Sequence, residues 1–286
     1  MVMNKTDWRL IEDGPMDGRL NMAKDWAILT ACERGEAPAT LRLYGWDRPT
    51  LSIGYSQNEL RDVDRAQCER RNIPIVRRFT GGRALLHQFE FTYCLVAPIP
   101  HSGFPGSLAG AFAVVSQAVI ASLKKAGVVN PEMVGRGKRT LGHNRSPACF
   151  SASNHWEITV MGKKLAGSAQ RRLNKAFLQH GSILMDWEPD LAHSLFRYSS
   201  ESEKSQGLKS MTSKTLTLKG VLPVKPEWQE LAHCFAGGFQ DTFPGSWKKE
   251  TLSLLETELM EGYLKENGIM SSVKGLGNTF DCSQGL

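Results

Sequence analysis

No CxxC pair occurs in this chain. Its six cysteines, at 32, 68, 94, 149, 234 and 282, stand far apart, a spacing that suits neither a disulfide framework nor a zinc knuckle. Reduced thiols in the cytoplasm are the expected state. An uninterrupted run of about 18 apolar residues is also missing, so no membrane span is expected. The opening MVMNKTDWRLIEDG lacks the apolar stretch of a secretory signal. Neither GxGxxG nor GxxxxGKS/T is present, which removes the dinucleotide-binding and P-loop fingerprints. No Lys/Arg run is interleaved with aromatics, so nucleic acid is not the expected partner. There is no internal repeat.

What remains is ordinary globular material with a basic bias. The 286 residues, 41% hydrophobic and 22% charged, suit one large domain over 1–265 with a flexible tail at 266–286. A net charge of +6 favours an acidic partner, and small acidic carrier proteins fit that sign.

The helical pattern at 21–33 places Met22, Trp26 and Leu29 on one side, with Asn21 as cap and Gly35 just beyond. Short strands are expected at 41–46 and 50–54, a surface helix at 58–71, and a strand at 73–76 that leads into Arg77 and Arg78. Alternation at 87–97 puts His87, Phe89, Phe91, Tyr93, Leu95 and Ala97 on one strand face. The clearest helix is 108–125, and a basic, glycine-rich loop follows at 130–147. Residues 156–160 and 164–170 read as a hairpin about Met161, and 176–186 as a strand containing a QHGS turn. Beyond these come a short helix at 190–196, a Ser/Lys-rich stretch at 199–219 with no assigned role, and helices at 226–239 and 247–263. Hairpins are as frequent as helix crossovers. The fold class is therefore α+β, a mixed β-sheet with flanking α-helices.

Three segments carry chemistry. In RRFTGGRALLH (77–87), Gly81 and Gly82 let the backbone approach a ligand, with N–H groups that can form a small anion-binding nest between Arg78 and Arg83. A basic turn with solvated arginines is the other reading. Cys149 follows a strongly basic loop, a setting that lowers a thiol pKa and exposes a thiolate nucleophile; a packed apolar thiol is the default for any cysteine. Cys94, inside an alternating strand, reads as structural. Lys164 precedes Ala166, Gly167 and Ser168, small residues that leave room for a lysine to reach into a pocket, whereas Lys163 reads as solvated. His180 and Gly181 belong to the polar QHGS segment, where His180 takes a pocket-lining role.

RRFTGGRALLH, CFSASNHWEITVMGKKLAGSAQRR and FLQHGSIL, in that order, resemble the superfamily of lipoate–protein ligases, octanoyltransferases and biotin ligases, and within it the LipM-type octanoyltransferases. NMAKDWAIL and LYGWDRPTLSIGYSQ extend the likeness over residues 8–186. The resemblance implies a biotin/lipoate-ligase-like catalytic domain. It implies transfer of an octanoyl group from octanoyl-acyl carrier protein to a lipoyl-domain lysine, such as that of the glycine cleavage H protein, by a monomer. Cys149 falls at the family's nucleophile and Lys164 at its pocket lysine. Thr80, Gly81, Gly82 and Arg83 fall on the glycine loop, closed by His87. Backbone near Gly81, Gly82 or Gly167 would hold an oxyanion, and Leu85, Leu86 and the Ala166 strand would take the acyl tail. No cofactor is implied. The rivals are an ATP- and Mg-dependent lipoate–protein ligase, an octanoyl amidotransferase acting between lipoyl-type proteins, and a non-catalytic module that binds lipoyl domains or acyl carriers.

Overall fold

Alternation on a central strand organises the molecule. In β6 (Glu90–Pro98), Phe91, Tyr93, Leu95 and Ala97 enter one apolar cluster, and Cys94 and Val96 enter another on the opposite face. Both faces of this sheet are therefore covered. The computed structural model describes residues 7–101, 103–134 and 157–267. Among them, eight strands run in the order β11 (Ser246–Lys249), β1 (Asp7–Met16), β2 (Ala39–Trp46), β6, β10 (Ala176–Leu184), β9 (Lys163–Arg172), β8 (Ile158–Val160) and β7 (Glu132–Met133). The β11–β1 and β1–β2 pairs are parallel, and the others antiparallel.

Helices α4 (Leu108–Lys125) and α8 (Trp228–Thr242) cover one face, where Val115, Val119, Phe235 and Phe239 pack on Phe91 and Tyr93. Each such aromatic, fully buried, contributes about 1.5–3 kcal/mol. By length and composition α4 could cross a membrane, with a mean hydropathy of 1.3, but half of it is buried against the sheet and α8. Helix α1 (Gly18–Glu33) covers the opposite face through Met22, Ile28 and Leu29. The C-terminal helix α9 (Leu254–Asn267) is tied to β1 by a buried pair, Arg9 with Glu256. A second sheet, β4 (Ile75–Arg77), β3 (Thr50–Ile53) and β5 (Leu85–His87), stands beside the first.

Several expectations are corrected. Asp17, not Asn21, caps α1; Asn21 is buried and donates to the Gly45 carbonyl at 2.9 Å. The helix expected at 58–71 is split into α2 (Glu59–Asp62) and α3 (Arg65–Arg70), because Val63 leaves the helix to bridge Phe196. The strand expected at 87–97 breaks after His87. That residue pairs with Thr50 in the small sheet, and Phe89 is 41% exposed. QHGS is strand interior rather than a turn, paired on both sides. The start of the helix expected at 247–263 is β11, so α9 begins only at Leu254. The Ser/Lys-rich stretch holds α6 (Glu201–Lys214) and α7 (Leu218–Val221), which α5 (Pro189–Ser194) precedes.

Candidate active site

The small sheet positions the glycine loop. Arg78 and Tyr55 anchor its backbone, Arg78 N–H donating to Ile53 O at 2.9 Å and Tyr55 N–H to Thr80 O at 2.9 Å. Gly82 sits at φ 102°, and a Cβ built on Gly54 would lie 2.0 Å from the Gly82 carbonyl oxygen. Only glycine at 54 lets these two backbones meet. The Arg78 guanidinium donates to Ser52 Oγ at 2.6 Å, to Gly81 O at 3.2 Å and to Arg83 O at 3.1 Å. Read from sequence as a source of charge for a ligand, Arg78 is also the brace of the loop.

Behind the loop runs a buried hydrogen-bonded chain. His87 Nε2 lies 2.6 Å from Ser52 Oγ, and His87 Nδ1 meets Glu90 Oε1. Burial holds His87 below the ordinary histidine range, although Glu90 opposes that shift. A neutral ring fits the partners: Nδ1–H donates to Glu90 and Nε2 accepts from Ser52, which itself accepts from Arg78. Ser52, His87 and Glu90 thus stand in the order of a hydrolytic triad, but Ser52 is fully buried. The chain braces the loop, with Trp46 stacked on His87 at 3.8 Å between centroids.

A second chain joins the loop to the large sheet. Thr80 Oγ1 is 2.7 Å from His180 Nε2, and His180 Nδ1 is 3.3 Å from Asp25 Oδ2. Asp25 also accepts from Arg42 at 2.7 Å and from the Tyr44 hydroxyl at 2.9 Å. Burial opposes its charge, but Arg42 and His180 outweigh that and hold its carboxyl below the usual range.

Between loop and sheet lies a cleft open to solvent. Its lining brings together the sequence-derived Arg78, Gly81, Gly82, Arg83, His87, Lys164, Gly167, Ser168, His180 and Gly181. Thr80 supports it from behind through His180. Ser168 contributes less than its neighbours, since its hydroxyl is 2.8 Å from that of Tyr93. Of the expected tail contacts, Leu85 and the Ala166 strand, through Gly167 and Ala169, line the cleft, whereas the Leu86 and Ala166 side chains belong to core clusters. Met22, Tyr44 and Trp46 supply apolar lining instead.

Lys164 is, with Arg78, a buried cation of the cleft, 5% exposed, with Nζ 2.7 Å from Glu157 Oε1. A turn at Met161 and Gly162, both at positive φ, closes the β8–β9 hairpin. A bulge then shifts the register between Ile158 and Thr159. The Lys164 side chain lies across Gly167, where a Cβ would come within 2.9 Å of Cε. Past α6, Leu216 N–H donates to Lys164 O at 2.8 Å, and Thr215 bridges Lys164. The unassigned 199–219 stretch therefore clamps the strand that carries the lysine.

Cys149 lies outside the described residues. The four described thiols are poor nucleophiles: burial pushes Cys32 up to about 12 and Cys68 up to about 11, and raises Cys94 and Cys234 as well. Sequence reasoning missed Glu157, Asp25 and Arg42. For Glu157 a signal existed: across the hairpin it is diagonal to Lys164 on the same face.

The chain matches the lipoyl protein ligase A/B catalytic domain over residues 17–240. A relative from Kyrpidia tusciae, named octanoyltransferase LipM, is 37% identical over 268 residues, spanning 91% of this chain and 97% of the relative. The protein of that name from Bacillus subtilis is 33% identical over 241 residues, 83% and 87% of the two chains. Among solved structures, a bipartite lipoate protein ligase from Thermoplasma acidophilum, studied with its E2 lipoyl domain, aligns with TM-score 0.75 at 20% identity over 95% of this chain and 99% of its own. A lipoate-protein ligase A bound with ATP aligns with TM-score 0.72 at 20% identity over 92% and 95%. These two structures share the fold. The chain belongs to the lipoyl protein ligase A/B catalytic-domain family, and the two relatives named above are octanoyltransferases of the LipM type.

Proposed function

We propose that this chain, an octanoyltransferase of protein lipoylation, takes its acyl group from octanoyl-acyl carrier protein. It rests the group on Cys149 and delivers it to a lipoyl-domain lysine such as that of the glycine cleavage H protein. The observation that carries the reading is one cleft in which a buried Lys164 is lined up with the Gly81–Gly82 loop. In sequence Cys149 precedes Glu157, a residue that lines the cleft, by eight residues.

A thioester is already activated, so the transfer takes no ATP. The Cys149 thiolate attacks the carrier thioester, forming a new C–S bond through an oxyanion. That oxyanion collapses, the carrier's C–S bond breaks, and its departing thiolate takes a proton from the Lys164 ammonium. The acceptor lysine's neutral amine then attacks the enzyme thioester. A C–N bond forms, the amine's proton passes to Lys164, and Cys149 leaves as thiolate. Loop N–H groups face the oxyanion in both halves, joined in the first by the Lys164 cation.

Incubation with octanoyl carrier protein, without ATP, should add one octanoyl group by intact mass. The adduct should be absent in Cys149→Ala and released by hydroxylamine. AMP formation from ATP and free octanoate or lipoate, with no adduct, assigns the chain to the ligases. Octanoyl-H protein as the sole working donor assigns it to the amidotransferases.

Gly167→Ala tests the cleft by shape alone. The new methyl meets only the flexible end of Lys164 and must displace it, and Gly167 has no positive φ to strain the backbone. Transfer should fall about tenfold or more, as expected when a reacting group is moved by about 1 Å. The melting temperature should change by no more than a few degrees; equal losses of both would sink the explanation.

A further inference from the structure

Lys164 and Glu157 form a buried charge pair in the cleft. Both side chains are 5% exposed, and Nζ stands 2.7 Å from Oε1. Nothing in the proposed chemistry so far uses Glu157. It is not a core ion pair of the kind that fastens elements together, since both partners sit in one hairpin already closed by its own ladder and turn. Both also line the cleft. The carboxylate's backbone is fixed separately, by Val134 N–H on its carbonyl at 2.9 Å.

We propose that Glu157 is a positioning residue for octanoyl transfer: it holds Lys164 across Gly167, in its charged form, aimed at the reacting carbonyl. This rests on the functional reading above and deepens it. Three structural features converge. The β8–β9 ladder shifts register beside Lys164, whose partner is Thr159. The bare face of Gly167 accepts the Lys164 side chain, with Cε 2.9 Å and Nζ 3.1 Å from where a Cβ would stand. Glu157 lies at the far end of the path. A lysine has four rotatable side-chain bonds and no preferred direction of its own; a groove beneath it and an acceptor at its tip reduce those choices to one.

The charge matters as much as the direction. A carboxylate at ion-pair distance favours the protonated form of an amine, so Lys164 begins the cycle as an ammonium. It then serves first as acid, giving a proton to the departing carrier thiolate, and only afterwards as base, receiving one from the acceptor amine. A neutral lysine at the start would have no proton for the first leaving group. Glu157 itself neither gains nor loses a proton, and over the cycle one carrier thioester and one amine become one carrier thiol and one amide.

The test is a double-mutant cycle read by single turnover and steady state with octanoyl carrier protein and an isolated lipoyl-domain acceptor. Glu157→Gln keeps the shape and an acceptor oxygen but removes the charge. Its kcat should fall at least about tenfold, about 1.4 kcal/mol of barrier, with the donor KM and melting temperature little changed. Glu157→Asp should recover part of the rate. In a Lys164→Ala background the same Glu157→Gln change should cost less than about twofold, because the lysine through which it acts is gone. Wild-type kcat in Glu157→Gln, beside an inactive Lys164→Ala, overturns the positioning role and leaves the functional reading standing. An equal fold-loss in both backgrounds also overturns it, showing that Glu157 acts without Lys164. Normal transfer by Lys164→Ala defeats the functional reading itself.

Discussion

Lys164→Ala should lower octanoyl transfer by about 10²–10³-fold, the loss typical when one preorganised donor to a developing oxyanion is removed. Lys164 is the group in the cleft that carries both a positive charge and a transferable proton at the depth of Gly167. Arg78 is committed to Ser52, Gly81 and Arg83, and a guanidinium does not give up its proton. The deletion leaves Glu157 without its cation, but that carboxylate lines a cleft rather than a sealed core. Water can reach it there, so the stability cost should stay below the 3–5 kcal/mol of a pair broken in a dry interior. Lys163→Ala is the control: Lys163 is exposed at the hairpin tip, and its loss should leave kcat within about twofold. Comparable losses in the two variants would remove Lys164 from the mechanism.

What was legible in the sequence depended on whether its signal was local. Helix α4 was read at its true boundaries, because a Ser107 cap, an apolar run and Gly127 are adjacent in the chain. The β8–β9 hairpin and the glycine loop were legible for the same reason. Strand β1 was not. DWRLIEDGPM carries charges that a pattern reading assigns to solvent, and only Glu256, 247 residues away, makes a buried Arg9 acceptable. Edge strand β11 reads in sequence as the start of a helix, since SWKK has no alternation of its own and, among the described residues, pairs with β1 alone. In the site, residues flanking glycine were found, whereas Asp25 and Arg42 were invisible. Each looks like a surface charge until α1 and β2 are packed together. Glu157 falls between these cases, within reach of hairpin arithmetic but without meaning until the folded hairpin brings its carboxylate to Lys164 Nζ.

Asp25→Ala should be the most damaging single change to stability. Asp25 and Arg42 are both wholly buried, and their 2.7 Å contact is the centre of a network reaching Tyr44, Asn21, Asp13 and His180. Without the carboxylate, Arg42 keeps Asp13 but loses its deepest counter-charge, at a cost of about 3–5 kcal/mol and a melting temperature lowered by roughly 10 °C or more. Asp25→Asn, which keeps the oxygen facing Tyr44 but not the charge, should cost less than alanine. The sign with pH follows from the depressed carboxyl. Its folded value lies below the ordinary 3.8, so its stabilisation is complete above about pH 4 and is lost as pH falls through the folded value. The stability gap between wild type and Asp25→Asn should therefore be full at pH 7 and close on acidification below about pH 4. A gap unchanged down to pH 3 would mean that the charge on Asp25 is not what stabilises the network. Because His180 connects Asp25 to Thr80, the alanine variant should also transfer more slowly at temperatures where it is fully folded. Its loss should be smaller than that of Lys164→Ala, since Asp25 reaches the cleft only through the ring that holds the loop.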